Sequence, residues 1–395
     1  MKTGTIILLV GLGYIWLNDL FLYLEIKRYL KSKTGKILYA IHSLLFIIGL
    51  LSYHFIIPRI KSPEAYFWFG KGIAVLFLCY VPKTIYIVLN GIALMVRRLK
   101  LLSGIIHYFA FGLSVLVFFV IFYGITWGRY DYKVVKQEVC IKELPDTFDH
   151  FRIVQLTDLH LGSYRKGYAG ISELVQKVNA LQPDLIVFTG DMVNNFASEM
   201  TPWQDTLKLL TSRYGKYAIT GNHDYGHYTR WKTEEDRKEN LVQFFKNMRD
   251  MGFHMLNNTN IPLIIQTDTI YLSGVENWGL PPFPQYGKLP EALRGTEGHV
   301  VILLSHDPSH WRQEVIYHPV ALTLAGHTHA MQMGIQIGRF RWSPSQYIYP
   351  EYNGLYKHDR HQLYVSRGAG YLGFPGRIGQ RPEITLIELT NDCKQ

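Results

Sequence analysis

Two observations predict the fold class: an α-helical transmembrane region followed by an α/β domain. The first is the segregation of charge. Residues 1–130 hold 14 Lys and Arg against three acids, Asp19, Glu25 and Glu64, a net +11, so the rest of a chain with net charge +10 stands at −1, close to neutral. The second is a series of short apolar strands beginning at residue 151, each ending in the same kinds of polar residue. A positive net charge invites a nucleic-acid reading. Here the basicity belongs to the amino-terminal third, where membrane flanks account for it, and no nucleic-acid partner is expected.

A helix needs about 20 apolar residues to cross the hydrocarbon core of a bilayer. Residues 37–58 and 101–128 contain no Asp, Glu, Lys or Arg and read as spans. Residues 3–24, interrupted by Asn18 and Asp19, and residues 65–96, carrying Lys71 and Lys83, bring the count to four. A signal peptide is the rival reading of the first segment, but no small-residue cleavage site follows it and three further apolar segments do. Ionisable groups within spans either mark function or sit where they reach water. Asp19 is expected near a helix end and Lys83 is expected to snorkel to an interface. Trp68, Trp127 and several Tyr at the span ends read as interfacial anchors.

The connector after the first span holds Lys27, Arg28, Lys31, Lys33 and Lys36, and the one after the third holds Arg97, Arg98 and Lys100. The opposite side has Lys2, Arg59, Lys61, Arg129, Lys133 and Lys136. The dense first connector favours both termini outside the cytoplasm. The expected location is therefore multi-pass in an inner or plasma membrane, with the bilayer as a partner and the remaining domain extracytoplasmic.

From Arg129 the composition turns mixed and charged. The boundaries read as 1–128 for the four-helix membrane region, 129–150 for a linker and first strand, and 151–392 for a catalytic domain. Cys79, Cys140 and Cys393 are widely scattered and odd in number, so neither a disulfide framework nor a metal spacing is expected.

Each strand of the second part runs into polar residues. Phe151 to Leu156 leads to Thr157-Asp158-Leu159-His160. Ile171, Leu174, Val175, Val178 and Leu181 have helical spacing and stop at Pro183. Leu185 to Phe188 ends at Gly190-Asp191, and Tyr217-Ala218-Ile219 opens into Thr220-Gly221-Asn222-His223-Asp224. Ile270 to Leu272 ends in Gly274-Val275-Glu276, Val300 to Leu304 at Ser305-His306-Asp307, and Ala321 to Leu324 at Gly326-His327-Thr328-His329.

Seven candidate metal ligands stand at those ends: Asp158, His160, Asp191, Asn222, His306, His327 and His329. Imidazole, carboxylate and one amide oxygen suit divalent manganese, iron, cobalt or zinc, and the lack of cysteine ligands argues against a closed structural zinc site. Seven donors are too many for one open catalytic ion. They fit two ions sharing a bridging carboxylate, an arrangement that clamps a phosphoryl group and supplies a bridging hydroxide as nucleophile.

The set Asp-x-His, Gly-Asp, Gly-Asn-His-Asp, a lone His and Gly-His-x-His, in that order over residues 150–390, resembles the calcineurin-like metallophosphoesterase family. The resemblance implies two packed mixed β-sheets flanked by helices. It also implies one metal on Asp158, His160, Asp191 and His329 and a second on Asp191, Asn222, His306 and His327, with Asp191 bridging. His223, the motif histidine left off the metals, is then the general acid that protonates the leaving oxygen. Asp224 beside it either tunes that site or caps the turn.

Departures from the family pattern bear on the substrate. The protein serine/threonine phosphatase branch reads Gly-Asp-x-Val-Asp-Arg-Gly, whereas Gly190-Asp191-Met192-Val193-Asn194-Asn195 lacks the second Asp and the Arg, which argues against a phosphoprotein. Ala330 follows the last histidine where many relatives carry Gly. The tail, Tyr364 to Gly368 and on through Arg377 and Arg381 to Ile384, is similar to the membrane-associated or exported bacterial branch. Arg165, Arg377 and Arg381 are candidate phosphate contacts, with structural ion pairing as the alternative.

A tethered domain meets amphiphiles at high effective concentration. The expected substrate is therefore a phosphodiester or diphosphate of a lipid-linked, nucleotide or cell-envelope compound. The aromatic insertion Trp278, Pro281, Pro282, Phe283, Pro284 and Tyr286 reads as a surface loop or as one that meets membrane or substrate. Two alternatives stand. One is a UDP-2,3-diacylglucosamine diphosphatase of lipid A synthesis, as in one relative, a cytoplasmic reaction that runs against the expected orientation. The other is a non-catalytic membrane transporter or sensor, which would be expected to lack a ligand.

Overall fold

The computed structural model describes residues 3–27, 30–56, 62–338 and 340–393. Lys2, Arg28, Arg59 and Lys61, used above for orientation, and residues 57–58 of the second expected span lie outside the described residues. The chain divides into two compact units, one of residues 1–61, 68–126 and 373–376, the other of residues 62–67, 127–372 and 377–395.

Four helices, Thr3–Ile26, Lys33–Ile56, Pro63–Met95 and Lys100–Thr126, are long and apolar enough to cross a membrane. Leu38, Leu45, Leu101, Phe111 and Phe119 lie exposed on them, as expected of helices whose solvent is lipid. Asp19 and Lys83 depart from expectation. Instead of reaching a helix end and an interface, they pair with each other across two helices, Lys83 Nζ to Asp19 Oδ1 at 2.5 Å, and Tyr80 donates to Asp19 Oδ2 at 2.9 Å. A charge in hydrocarbon is tolerated when a partner and hydrogen bonds replace its water.

The second unit is built on two six-stranded sheets. In spatial order the first consists of Lys133–Cys140, Glu383–Thr390, Arg152–Leu156, Leu185–Phe188, Lys216–Ala218 and Phe253–Met255. Its pairings are parallel except that Glu383–Thr390 runs antiparallel to Arg152–Leu156. The second consists of Gly354–His358, His361–Val365, Leu322–Ala325, Val301–Leu304, Asp268–Gly274 and Thr259–Ile265, three parallel pairings flanked by antiparallel hairpins.

Side-chain alternation assigns the layers. Ile153, Val187, Leu272, Ile302, Leu304, Leu322, Leu324 and Ile387 fill the space between the sheets. From the opposite face of the first sheet, Val154, Leu156, Ile186 and Phe188 pack on helices Gly170–Ala180 and Glu234–Asp250. Val301, Leu303, Leu363 and Val365 pack on Trp311 and Val315 outside the second. Strands covered on both faces read as continuous apolar runs, which is why Leu185–Phe188 and Val301–Leu304 were legible.

The cysteine expectation is overturned. The first strand pairs in parallel with the last, Cys140 opposite Thr390, and this register brings Cys393 to Cys140 with Cα atoms 5.4 Å apart in a disulfide. A separation of 253 residues hides that contact from any spacing argument. Cys79 is free.

Candidate metal centre and active site

Parallel strands send their carboxyl ends to one edge of a sheet, so the loops that follow them converge. Here those loops carry unusual backbone. Asp158, His160, Asp191, His327 and His329 all have positive φ, between 47° and 70°. Such residues cost about 1–3 kcal/mol each and persist only where the surroundings over-determine them. Two glycines make the approach possible. A Cβ on Gly190, itself at φ 98°, would stand 2.5 Å from the Gly221 nitrogen, and one on Gly221 would stand 2.3 Å from Asp191 Oδ1. Ala330, after the last motif histidine, is itself held at φ 47°.

The side chains gather into two clusters, Asp158, His160 and His329 in one and Asp191, His306 and His327 in the other, with the donor atoms of each within 4.8 Å of one another. Asp191 Oδ2 lies 3.2 Å from His306 Nε2 and 3.6 Å from His160 Nε2, so it stands between the two groups. Asn222 joins the second cluster through Oδ1, 2.9 Å from His327 Nδ1, while its amide nitrogen donates to Tyr228 Oη at 2.8 Å, which fixes the oxygen inward. His306 Nδ1 faces the Thr189 carbonyl at 2.7 Å, leaving Nε2 for the site.

This donor set fits two cations. His160 Nε2 and His329 Nε2 face each other at 3.1 Å beside the Asp158 carboxylate, an arrangement of lone pairs that one shared proton serves poorly. Burial works against every charge here. The neighbouring imidazoles of His306 and His223 nevertheless outweigh it at Asp191 and hold that carboxyl well below its ordinary value.

His223 sits at the cavity, edge-on to His160 with ring centroids 4.9 Å apart. Its backbone N–H donates to Asp191 Oδ1 at 2.9 Å and its Nδ1 lies 2.9 Å from the Asn194 carbonyl. A carbonyl can only accept, so Nδ1 carries the proton and Nε2 is left to face a substrate. Asp224 does not reach the cavity. Its carboxylate accepts the backbone N–H groups of Asp191, Met192, Val193 and Gly221, so it anchors the ligand loops and is not a catalytic residue. Burial, then repulsion from Asp191, raises its pKa, and the N–H groups of Gly221 and Val193 oppose that shift.

The three arginines do not line the cavity either. Arg377 is buried and donates to the carbonyls of Arg367, Gly368 and Gly370, buttressing the loop beneath His329. Arg381 pairs with Asp131 at 2.5 Å. Arg165 is exposed on the loop after His160. The structural alternative describes Arg377 and Arg381, because backbone carbonyls hold Nε and Nη2 of Arg377 and an acid holds Arg381.

The cavity, about 380 Å³, has two characters. Asp191, Asn222, His223, His327 and His329 form a polar floor, and Phe283, Met331, Ile348, Tyr349 and Leu372 form an apolar wall. Phe283, from the aromatic insertion, stands edge-on to His327 with centroids 4.7 Å apart. Trp278 of the same insertion instead stacks on His310. Met331 lies in the short 3-10 segment His329–Gln332 and Ile348, Tyr349 and Leu372 in irregular loops, with no motif to reveal them. Two more residues escaped the sequence reading. Asp307 directly follows His306, and its Oδ2 lies 3.5 Å from His327 Nε2. Glu199 is buried behind the Asp191 loop.

The sequence profile of the calcineurin-like phosphoesterase family matches residues 151–331. The chain is 33% identical over 68% of its length to a transmembrane protein with metallophosphoesterase domain of Danio rerio, spanning 59% of that relative. It is 30% identical over 67% of its length to an uncharacterized metallophosphoesterase of Bacillus subtilis, covering 90% of that protein. With one of Campylobacter jejuni it shares 28% identity over 94% of its length and 95% of the relative's.

Proposed function

Because this chain belongs to the calcineurin-like metallophosphoesterase family and is a dimetal-type phosphoesterase with four helices fit to cross a membrane, we propose that it hydrolyses a phosphodiester or diphosphate in an amphiphilic, lipid-linked substrate. The observation that carries this reading is the two-sided cavity. A metal-ligand floor beside an apolar wall of Phe283, Met331, Ile348 and Leu372 suits a phosphoryl group attached to a hydrophobic portion, and suits a free nucleotide or a phosphopeptide less well.

Asp158, His160, Asp191 and His329 would hold one divalent ion and Asp191, Asn222, His306 and His327 the other; manganese, iron and zinc all suit these donors. Ions bound there supply Lewis-acid polarisation of phosphoryl oxygens and an acidified water. The chain's own part is to place the substrate between those loops and to deliver a proton. In its imidazolium form His223, with Nδ1–H fixed on the Asn194 carbonyl, gives the Nε2 proton to the leaving oxygen as that oxygen's bond to phosphorus breaks, while a water oxygen forms the new P–O bond and sheds its proton to solvent, from which the ring is reprotonated. The apolar wall excludes bulk water from one side of that transfer.

The catalytic unit lies outside the cytoplasm in this reading. The Cys140–Cys393 disulfide supports the orientation first argued from Lys and Arg, since such bonds persist in oxidising compartments. The same observation weighs against a cytoplasmic UDP-2,3-diacylglucosamine diphosphatase. The complete ligand set weighs against a non-catalytic transporter or sensor, and the near-neutral second part weighs against a nucleic-acid substrate.

The test is hydrolysis of paired chromogenic diester and monoester substrates by detergent-purified full-length protein, with and without manganese. The expected result is metal-dependent cleavage with the diester preferred and further stimulated by an acyl-bearing leaving group. Preference for the monoester, or indifference to the acyl chain, would overturn the substrate assignment.

A further inference from the structure

The Glu199 carboxyl group is buried, only 3% exposed, and capping the Phe196 N–H at the start of the 3-10 helix Ala197–Met200 uses only one of its bonds. It accepts four backbone N–H groups: Gly162 and Asn194 on Oε2, at 3.1 and 2.5 Å, and Asn195 and Phe196 on Oε1, at 3.1 and 3.0 Å. Gly162 follows His160 by two residues and has no room for a side chain, since a Cβ would stand 2.4 Å from the Glu199 carboxyl carbon. One acid thus ties the loop after His160 to the loop after Asp191.

One of those four bonds matters more than the others. The N–H of Asn195 and the C=O of Asn194 belong to the same peptide unit. Its nitrogen end donates to Glu199 Oε1 and its oxygen end accepts from His223 Nδ1 at 2.9 Å. A negative charge at the N–H end of an amide polarises it and makes its carbonyl a stronger acceptor, as in any hydrogen-bonded chain in a low-dielectric interior. We propose that Glu199 is a positioning residue for His223, acting through the Asn194–Asn195 peptide. The relay keeps the Nδ1 proton in place and aims Nε2 at the leaving oxygen.

Tyr228 and His160 pack against the His223 ring, with centroids 4.4 and 4.9 Å away, and the peptide holds its Nδ1. Asn194 contributes its main chain to the relay while its side chain turns away to Ser163. A loop staple alone would need only acceptors for four N–H groups. Two features go beyond that: the acceptor is a carboxylate, and the peptide it holds is the one His223 uses.

This inference rests on His223 acting as the general acid, and the experiment separates the two claims. Full-length His223→Ala, Glu199→Gln and Glu199→Asp are compared with wild type on aryl and alkyl phosphodiesters of graded leaving-group pKa, with metal content measured on each. His223→Ala is expected to slow poor leaving groups by about 10²-fold or more and to spare nitrophenyl esters, the range for a lost acid. Glu199→Gln keeps one oxygen acceptor and removes the charge. It is expected to show the same selectivity at roughly tenfold, in kcat with KM unchanged and two metals retained, and Glu199→Asp to fall between it and wild type. Selective loss in His223→Ala with none in Glu199→Gln, or equal loss on all esters in Glu199→Gln, overturns the relay alone. Loss of selectivity in His223→Ala overturns the general acid and the relay with it. If Glu199→Gln does not fold, Glu199→Asp decides, because its shorter reach to Asn195 gives a smaller loss confined to poor leaving groups.

Discussion

Oδ2 of Asp191 lies 3.2 Å from Nε2 of His306, and the same oxygen is 3.6 Å from His160 in the other cluster. The two donor groups are Asp158, His160 and His329, and Asp191, His306 and His327, and this carboxylate reaches from the second to the first. Asp191→Asn is therefore expected to lower metal content toward one ion per chain or less and to remove most of the activity, read by elemental analysis beside the diester assay. A variant that keeps two tightly bound ions would show that the carboxylate does not bridge.

Asp307 supports the second cluster from outside. Its Oδ1 is taken by the Ser309 N–H and hydroxyl at 2.8 and 2.6 Å, and its buried Oδ2 has no hydrogen-bond partner among the described residues although His327 Nε2 is 3.5 Å away. Tyr349 Oη stands closer to the same nitrogen, at 2.9 Å. Carboxylates in this position orient the ring of a metal-binding histidine and raise its basicity, and losing one lowers metal affinity about 10–100-fold. Asp307→Asn should show that loss in a chelator competition, and Tyr349→Phe a smaller one. The reverse order would assign the supporting role to the tyrosine.

Asp224 predicts a stability effect. Four N–H groups converge on one carboxylate, and an amide offers a single oxygen and turns a second donor toward them. Each buried donor left unsatisfied costs about 1–3 kcal/mol, so Asp224→Asn should lower the melting temperature and loosen metal binding through the displaced Asp191 loop. An unchanged melting temperature would mean that those N–H groups find other acceptors.

Orientation is testable through Cys140 and Cys393. In intact cells both thiols should resist maleimide until a reductant is added, and a reporter fused after residue 395 should be active only outside the cytoplasm. Free alkylation without reductant would place the domain in a reducing compartment and remove an argument against the cytoplasmic diphosphatase.

How much of this was legible in the sequence follows from what each feature depends on. The ligands were readable because parallel buried strands are apolar runs and each motif begins where a run stops, as at Phe188 before Gly190-Asp191. The Asp19–Lys83 pair was not, because each residue alone obeys the rule for reaching water and only the packing of two helices joins them. Arg377 attracted a phosphate role by its charge, but its backbone carbonyl partners leave no trace in composition. Cys393 met Cys140 through the pairing of the first and last strands, a register that no local pattern encodes.

Glu199 also links the site to stability. Burial, offset only in part by N–H donors from Asn194, Phe196, Asn195 and Gly162, pushes its pKa from 4.5 to about 7. A group whose pKa is raised on folding favours the folded state while it is protonated. Its contribution is complete below pH 4.5 and is lost as pH rises to about 7, and the gap corresponds to about 3 kcal/mol for a fully buried group. Wild type should therefore lose stability relative to Glu199→Gln across that window and no further above it, measured as the difference in melting temperature between the two proteins from pH 4.5 to 8. The ionised carboxylate, the form that polarises the Asn194–Asn195 peptide, is thus the less stable one, and strain of this kind is common at functional sites. A pH-independent difference between the two proteins would mean that the four N–H donors fully offset burial and that Glu199 remains ionised throughout.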